Sequence, residues 1–227
     1  MVTADGVEFW NMSSEKYCKS AVQTVELILN VHDRILPSKC RSPLRLVYRS
    51  ELYTTPELKS DGVQKYQELI GVLRWAIYIG RVDILLEVSL MSTHLALQRI
   101  VHLENLYYVF GFLNKKLKMR LVFDPAHTQI SENMSQQYDW QDFYRDATEA
   151  IPGDMPEPRG NSMSTHCFFY ADLSGNTVTR QSQTGIIIFC NRAPIIWHSK
   201  RQNIVETCIF GGDFTSTKND VELSGAL

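Results

Sequence analysis

The sequence predicts an α+β chain: a helical region over residues 1–123, then a small sheet with one helix over 162–227. Three observations predict it. Apolar residues recur three and four apart as far as about Lys118, the spacing of one helix face. The stretch from Asp124 to Asn161 is polar and acidic and carries Pro152, Gly153, Pro156, Pro158 and Gly160, as linkers do. Beyond it, short runs rich in β-branched and aromatic residues are separated by turn residues.

The elements follow in order. Residues 13–30 read as an amphipathic helix that Ser13 or Ser14 can cap, with Tyr17, Ala21, Val25 and Leu29 on one face. Pro37 and Pro43 open a polar, extended connector that runs through Tyr48 to Pro56. Asp61 is placed to cap a second helix from Val63 to Ile79, facing inward with Tyr66, Leu69, Ile70, Leu73 and Ile77. Gly80-Arg81 breaks that helix, and Asp83 opens a third that runs to about Leu97. A fourth, from His102 to Lys118, aligns Leu103, Leu106, Tyr107, Phe110 and Leu113. After the linker, Cys167–Asp172, Gly185–Cys190 and Ile195–His198 read as strands. A polar arm, Ser174–Thr184, joins the first two, Arg192-Ala193-Pro194 turns into the third, and a helix starts near Phe210 or Gly211.

Composition narrows the function classes. A hydrophobic fraction of 44% and a charged fraction of 21% are those of a folded globular chain. The formal net charge of -2 offers nucleic acid no global attraction, so any such binding falls to local basic surface. No apolar run is long enough to span a bilayer, and the N-terminus lacks the basic start and apolar stretch of a secretory signal. The expectation is an intracellular protein, cytoplasmic or nuclear, without a membrane partner. Cys18, Cys40, Cys167, Cys190 and Cys208 form no Cys-x-x-Cys pair and no zinc spacing, which predicts reduced thiols packed as small apolar groups. The histidines share no spacing with a Ser or Cys nucleophile, and the glycines form neither a P-loop nor a dinucleotide fingerprint.

Tyr170-Ala171-Asp172-Leu173-Ser174-Gly175-Asn176 and Ile209-Phe210-Gly211-Gly212-Asp213-Phe214 resemble the first strand and first helix of the ribonuclease H domain in copia-type retrotransposon pol polyproteins. The likeness extends upstream. Trp10 to Lys19, Leu36 to Cys40, Arg49 to Leu58, Tyr66 to Trp75 and Gly80 to Ile84 resemble, in family order, the region that follows the reverse transcriptase palm, with Val82 where Pro is usual. Arg180 to Gly185, Trp197 to Gln202 and Val205 to Thr207 continue it. The resemblance implies a helical connection region joined to the front half of a ribonuclease H-like mixed sheet with its helix. It also implies an ancestral role in hydrolysing RNA within RNA–DNA hybrids, beside other segments of a pol polyprotein.

That chemistry uses two divalent cations about 3.5–4 Å apart, Mg2+ or Mn2+, held by hard carboxylate oxygens. The family's triplet usually reads Asp-Ala-Asp, and its helix carries Glu. Here the bridging position is Tyr170, and a phenol that ionises near pH 10 does not replace a bridging carboxylate. The carboxylates left to carry catalysis and hold metal are Asp172 and Asp213. Asp172 reads either as a relocated ligand or as the family's ordinary second aspartate; the second reading is favoured, since a two-residue slip would move the whole strand. Asp213 keeps the charge of Glu with one methylene less, and metal sites tolerate such displacement poorly. An impaired enzyme is therefore expected. The alternatives are a decayed open reading frame without selected function, or a non-catalytic interaction or nucleic-acid-binding module, the latter through Arg180 and Ser182 on the arm and Lys200, Arg201 and Gln202 at the exit of the third strand. Lys115, Lys116, Lys118 and Arg120 read instead as cations at a helix C-terminus.

Overall fold

In the computed structural model, which describes residues 6, 8–45, 48–127, 153–155, 160 and 163–224, five helices accompany two small antiparallel sheets. Most of the linker expected over 124–161 lies outside the described residues.

Helix α1 (Glu15–Asn30) buries Cys18, Val22, Val25 and Leu29. This stripe is rotated from the expected one, and Tyr17 and Ala21 are only partly buried at its border. Cys18 is the reason: a thiol packs as a small hydrophobe, and its burial turns the helix toward it. Helix α2 (Ser60–Tyr78) buries the expected Tyr66, Leu69, Ile70, Leu73 and Ile77, together with Ala76. Asp61 lies within its first turn rather than at the cap, where its charge still suits the positive end of the helix. The Tyr66 hydroxyl donates to Met91 O at 2.8 Å, so the ring's polar tip is satisfied inside the core.

The third helix is shorter than expected. A 3-10 turn at Val82–Ile84 leads into α3 (Leu85–Ser92). Ser92 Oγ donates to Val88 O at 2.7 Å and Thr93 Oγ1 to Leu90 O at 2.6 Å, and such hydroxyls compete with the helical ladder at its end. Helix α4 (Ile100–Lys115) begins earlier, because His102 Nδ1 accepts the Arg99 backbone N–H at 3.1 Å and closes the first turn. It is buried nearly all round, through Leu106, Tyr107, Val109, Phe110, Phe112 and Leu113, and forms the centre of the helical part. The connector supplies Leu36, Cys40 and Leu44 to the same core.

A ribbon absent from the sequence expectation ties the ends of this part together. Strand β1 (Trp10–Ser13) pairs antiparallel with β2 (Arg120–Phe123), Met12 opposite Leu121. Gly80 sits under it with φ 104°, and a Cβ there would meet Met12 Cε at 3.1 Å and Leu121 Cβ at 3.4 Å. Glycine supplies both the left-handed backbone and the missing side chain.

The second sheet has the order β3 (Thr165–Ala171), β4 (Gln183–Cys190), β5 (Ala193–Arg201). Among the described residues it is antiparallel throughout rather than mixed. Asn191 at φ 54° and Arg192 make the tight turn between β4 and β5, as two-residue hairpins require. Pro194 stands in β5 next to a bulge at Ile188/Phe189, where a missing N–H is tolerated. Helix α5 (Ile209–Ser224) covers one face of this sheet through Ala171, Thr184 and Gln202, and α3 covers the other near Gln183, Trp197 and Ser199.

Candidate functional site

β3 ends next to Asp172, the first of the two expected carboxylates, so the site is built from that end. Asp172 N donates to Gln183 O at 3.2 Å, and the Asp172 carboxylate accepts the Gln183 N–H in return. Successive N–H groups of a strand point to opposite sides. The N–H of Ala171 therefore points away from β4, and Asp213 Oδ1 accepts it there at 3.4 Å. Asp172 thus lies on the inner side of the strand end and Asp213 on the outer side. Gly212 brings α5 close enough for this bond, since a Cβ there would meet Ala171 Cβ at 3.5 Å.

Tyr170 alternates with Ala171 and faces away from α5. Tyr170 is 71% exposed and borders an apolar cavity with Val82, Leu85, Leu86 and Phe168. The place assigned to a bridging carboxylate thus carries a solvent-facing phenol. Among the described residues no three His, Cys, Asp or Glu side chains converge. Asp172 Oδ1 and Asp213 Oδ1 each accept a backbone N–H, the two on opposite sides of β3.

The arm between β3 and β4 is held rather than loose. Asn176 Oδ1 accepts Val178 N at 3.0 Å and Thr179 N at 2.8 Å, an Asx turn. Arg49 Nη1 donates to Gly175 O at 2.8 Å, and Glu51 Oε1 accepts both the N–H and the hydroxyl of Thr177 at 3.1 and 2.9 Å. Burial alone would raise the Glu51 carboxyl. The hydrogen bonds from its own backbone and from Thr177, with Arg49 nearby, outweigh it and hold the carboxyl below its ordinary range.

The five expected nucleic-acid contacts divide. Arg180 is exposed on the arm at φ 60°, and Lys200 is exposed on β5. Arg201 is half-buried beside it. Ser182 and Gln202 are internal. Ser182 is 1% exposed and its hydroxyl accepts Ser174 N at 3.1 Å. Gln202 is 4% exposed and Nε2 donates to Thr184 Oγ1 and Gly212 O, both at 3.0 Å. These two side chains tie β5, the arm and α5 together, and neither is a surface group. A cation that sequence reasoning missed joins the surface instead: Lys218 of α5 borders one cavity of about 420 Å³ with Lys200 and Arg201. No local signal marks Lys218, because only the docking of α5 brings it there.

A histidine pair lies on the opposite side of the connector. The rings of His94 and His102 stack at 4.3 Å, and His102 Nε2 faces Ser50 O at 3.3 Å. With Nδ1 accepting from Arg99, the Nε2–H tautomer satisfies both ring nitrogens. Burial first, and then the neighbouring His102 and Arg201, push His94 down from 6.5 to about 4, against an opposing pull from Glu51.

Comparison with known protein families, with curated protein sequences and with solved structures found no match. Among the described residues no helix is long and apolar enough to cross a membrane.

Proposed function

We propose that this chain is a piece of a copia-type retrotransposon pol polyprotein whose ribonuclease H-like part no longer cleaves efficiently. Its ancestral reaction is the two-metal hydrolysis of RNA in RNA–DNA hybrids, with Mg2+ or Mn2+ as the cation. The observation that carries the loss of activity is the strand end itself: exposed Tyr170 at the bridging position, with Asp172 and Asp213 on opposite sides of β3. The order of three antiparallel strands followed by a helix that lays a carboxylate against the first strand supports the ancestry. The reading places the protein inside the cell, in cytoplasm or nucleus.

The test is cleavage of a labelled RNA–DNA hybrid in Mg2+ or Mn2+, with Asp172→Asn as control. No turnover by folded protein is expected, and Tyr170→Asp combined with Asp213→Glu should leave it inactive. Turnover abolished by Asp172→Asn would overturn the proposal, as would recovery by the double substitution.

A second reading, a non-catalytic module that binds nucleic acid, is favoured by one observation: Lys200, Arg201 and Lys218 border one cavity, with Arg180 exposed on the arm. Affinity for hybrid that falls steeply with salt, without turnover, would support it; affinity indifferent to salt would exclude phosphate contact.

A further inference from the structure

Between α2, α3 and the outer edge of β5 lies a cavity of about 570 Å³, a size that suits a small-molecule site. Arg74, Lys200 and Arg201 line it, and among the described residues no carboxylate does. None of the three forms an ion pair or donates a side-chain hydrogen bond within the described residues, whereas Arg34, Arg81, Arg99 and Arg192 each meet a carboxylate. Arg201 is half-buried, so part of its charge is withdrawn from water with no counter-charge in return. The same field reaches His198, which burial first and then Lys200 push below its ordinary value, with no carboxylate opposing them. A recess lined by one sign of charge concentrates its potential and favours a guest of the other sign.

The rest of the wall narrows the guest. Arg74 and Tyr78 stand four residues apart on α2, so a cation and an aromatic ring share one helix face. Tyr78 is 75% exposed, too open to serve the core, and Trp197 lines the same cavity from β5. Such rings stack on flat, conjugated ones. At the end of α3, Ser92 Oγ and Thr93 Oγ1 spend their protons on Val88 O and Leu90 O, so toward a guest they accept. The guest thus carries an anionic head, a flat ring and N–H or O–H donors. We propose that this cavity binds an organic phosphate with a heteroaromatic body, of the nucleoside monophosphate kind, its phosphate on Arg74 and Arg201 and its ring against Tyr78. Lys200 and Arg201 also serve the nucleic-acid reading, because edge strand β5 separates this cavity from the one bordered by Lys218. Arg74 and Tyr78 do not, so the site stands or falls on its own.

The probe is AMP, titrated by calorimetry into the whole chain, with adenosine as the body without phosphate and glycerol phosphate as the phosphate without a ring. AMP should bind at least about tenfold more tightly than either (~1.4 kcal/mol). Arg74→Gln and Tyr78→Ala alter exposed side chains, so each should weaken AMP while leaving the melting temperature unchanged. Lys218→Ala, on the far side of β5, should leave AMP affinity as it is. Absence of AMP binding would overturn the proposal. So would equal affinity for AMP and adenosine, or equal affinity for AMP and glycerol phosphate. Loss of AMP binding in Lys218→Ala but not in Arg74→Gln would also overturn it, by moving the phosphate to the α5 side. Hybrid that fails to bind while AMP binds would sink the nucleic-acid reading alone.

Discussion

Arg81 and Asp83 form a two-pronged ion pair, Nε to Oδ1 and Nη2 to Oδ2, each at 2.8 Å, with Arg81 entirely buried. The pair sits at the turn from α2 into α3, and Arg81 also donates to Cys18 Sγ of α1 at 3.8 Å. One guanidinium thereby ties three helices. Burial disfavours its charge, but the Asp83 hydrogen bonds and charge more than offset this and raise it above its ordinary value. Asp83→Ala should cost about 3 kcal/mol, since it leaves a buried charge unpaired. Urea unfolding measures it; a loss under about 1 kcal/mol would mean that water reaches Arg81 and replaces the carboxylate.

The stacked His94–His102 pair predicts a pH dependence. His94 is depressed in the folded state, from 6.5 to about 4, and His102 is depressed as well, chiefly by burial. The unfolded chain therefore binds protons that the folded chain refuses, so stability is full above about pH 6.5 and falls as pH drops toward 4. The charged groups facing the pair are Glu51, Arg99 and Arg201, and only Glu51 favours the protonated form of His94. For His94 the loss is on the order of 3 kcal/mol across that window. Melting at pH 7 and at pH 5 should separate the native chain from His94→Gln, which keeps only the His102 share of this slope; an equal slope in both would assign it to other groups.

The helices were legible where one stripe alone is buried. Tyr66, Leu69, Ile70, Leu73 and Ile77 of α2 stand where their spacing puts them. For α1 the spacing fits two neighbouring stripes, and Cys18 and Val22, not Tyr17 and Ala21, face the core. β1 and β2 carry no local pattern of their own, since each is four residues long and its partner lies across the whole helical part. At the candidate site, Asp172, Asp213, Lys200 and Arg180 could be named from their chemistry. Ser182 and Gln202 could not be told from surface groups, because polarity does not reveal whether a side chain bonds water or the protein's own backbone.

Two glycines in helices should respond oppositely to alanine. At Gly111 of α4 a Cβ would collide with the Pro37 carbonyl oxygen and stand 3.0 Å from Cys40 Sγ. Backbone cannot yield as a flexible side chain does, so Gly111→Ala should cost about 1–3 kcal/mol. At Gly71 of α2 a Cβ meets nothing within 4 Å, and Gly71→Ala should stabilise by about 0.5–1 kcal/mol through helix propensity. Thermal melts of both variants check the pair. A neutral Gly111→Ala would show that the connector does not lie against α4 at Pro37.

Lys200 near the end of β5 and Gln202 just past it stand two residues apart and allow fold to be separated from binding. Both side chains lie on the α5 face, Gln202 bonded to Thr184 and Gly212 and Lys200 exposed. Gln202→Ala removes the buried amide hydrogen bonds to Thr184 Oγ1 and Gly212 O and should cost about 1–3 kcal/mol, read as a lower melting temperature. Lys200→Ala removes one solvated cation and should leave melting unchanged. If hybrid is bound through phosphates, Lys200→Ala should also flatten the dependence of log affinity on log salt by roughly 0.9. Gln202→Ala, measured below its melting transition, should keep the native slope because its amide never reaches the surface. A changed slope in Gln202→Ala with an unchanged melting temperature would return that residue to the nucleic-acid surface and reverse its assignment as an internal tie.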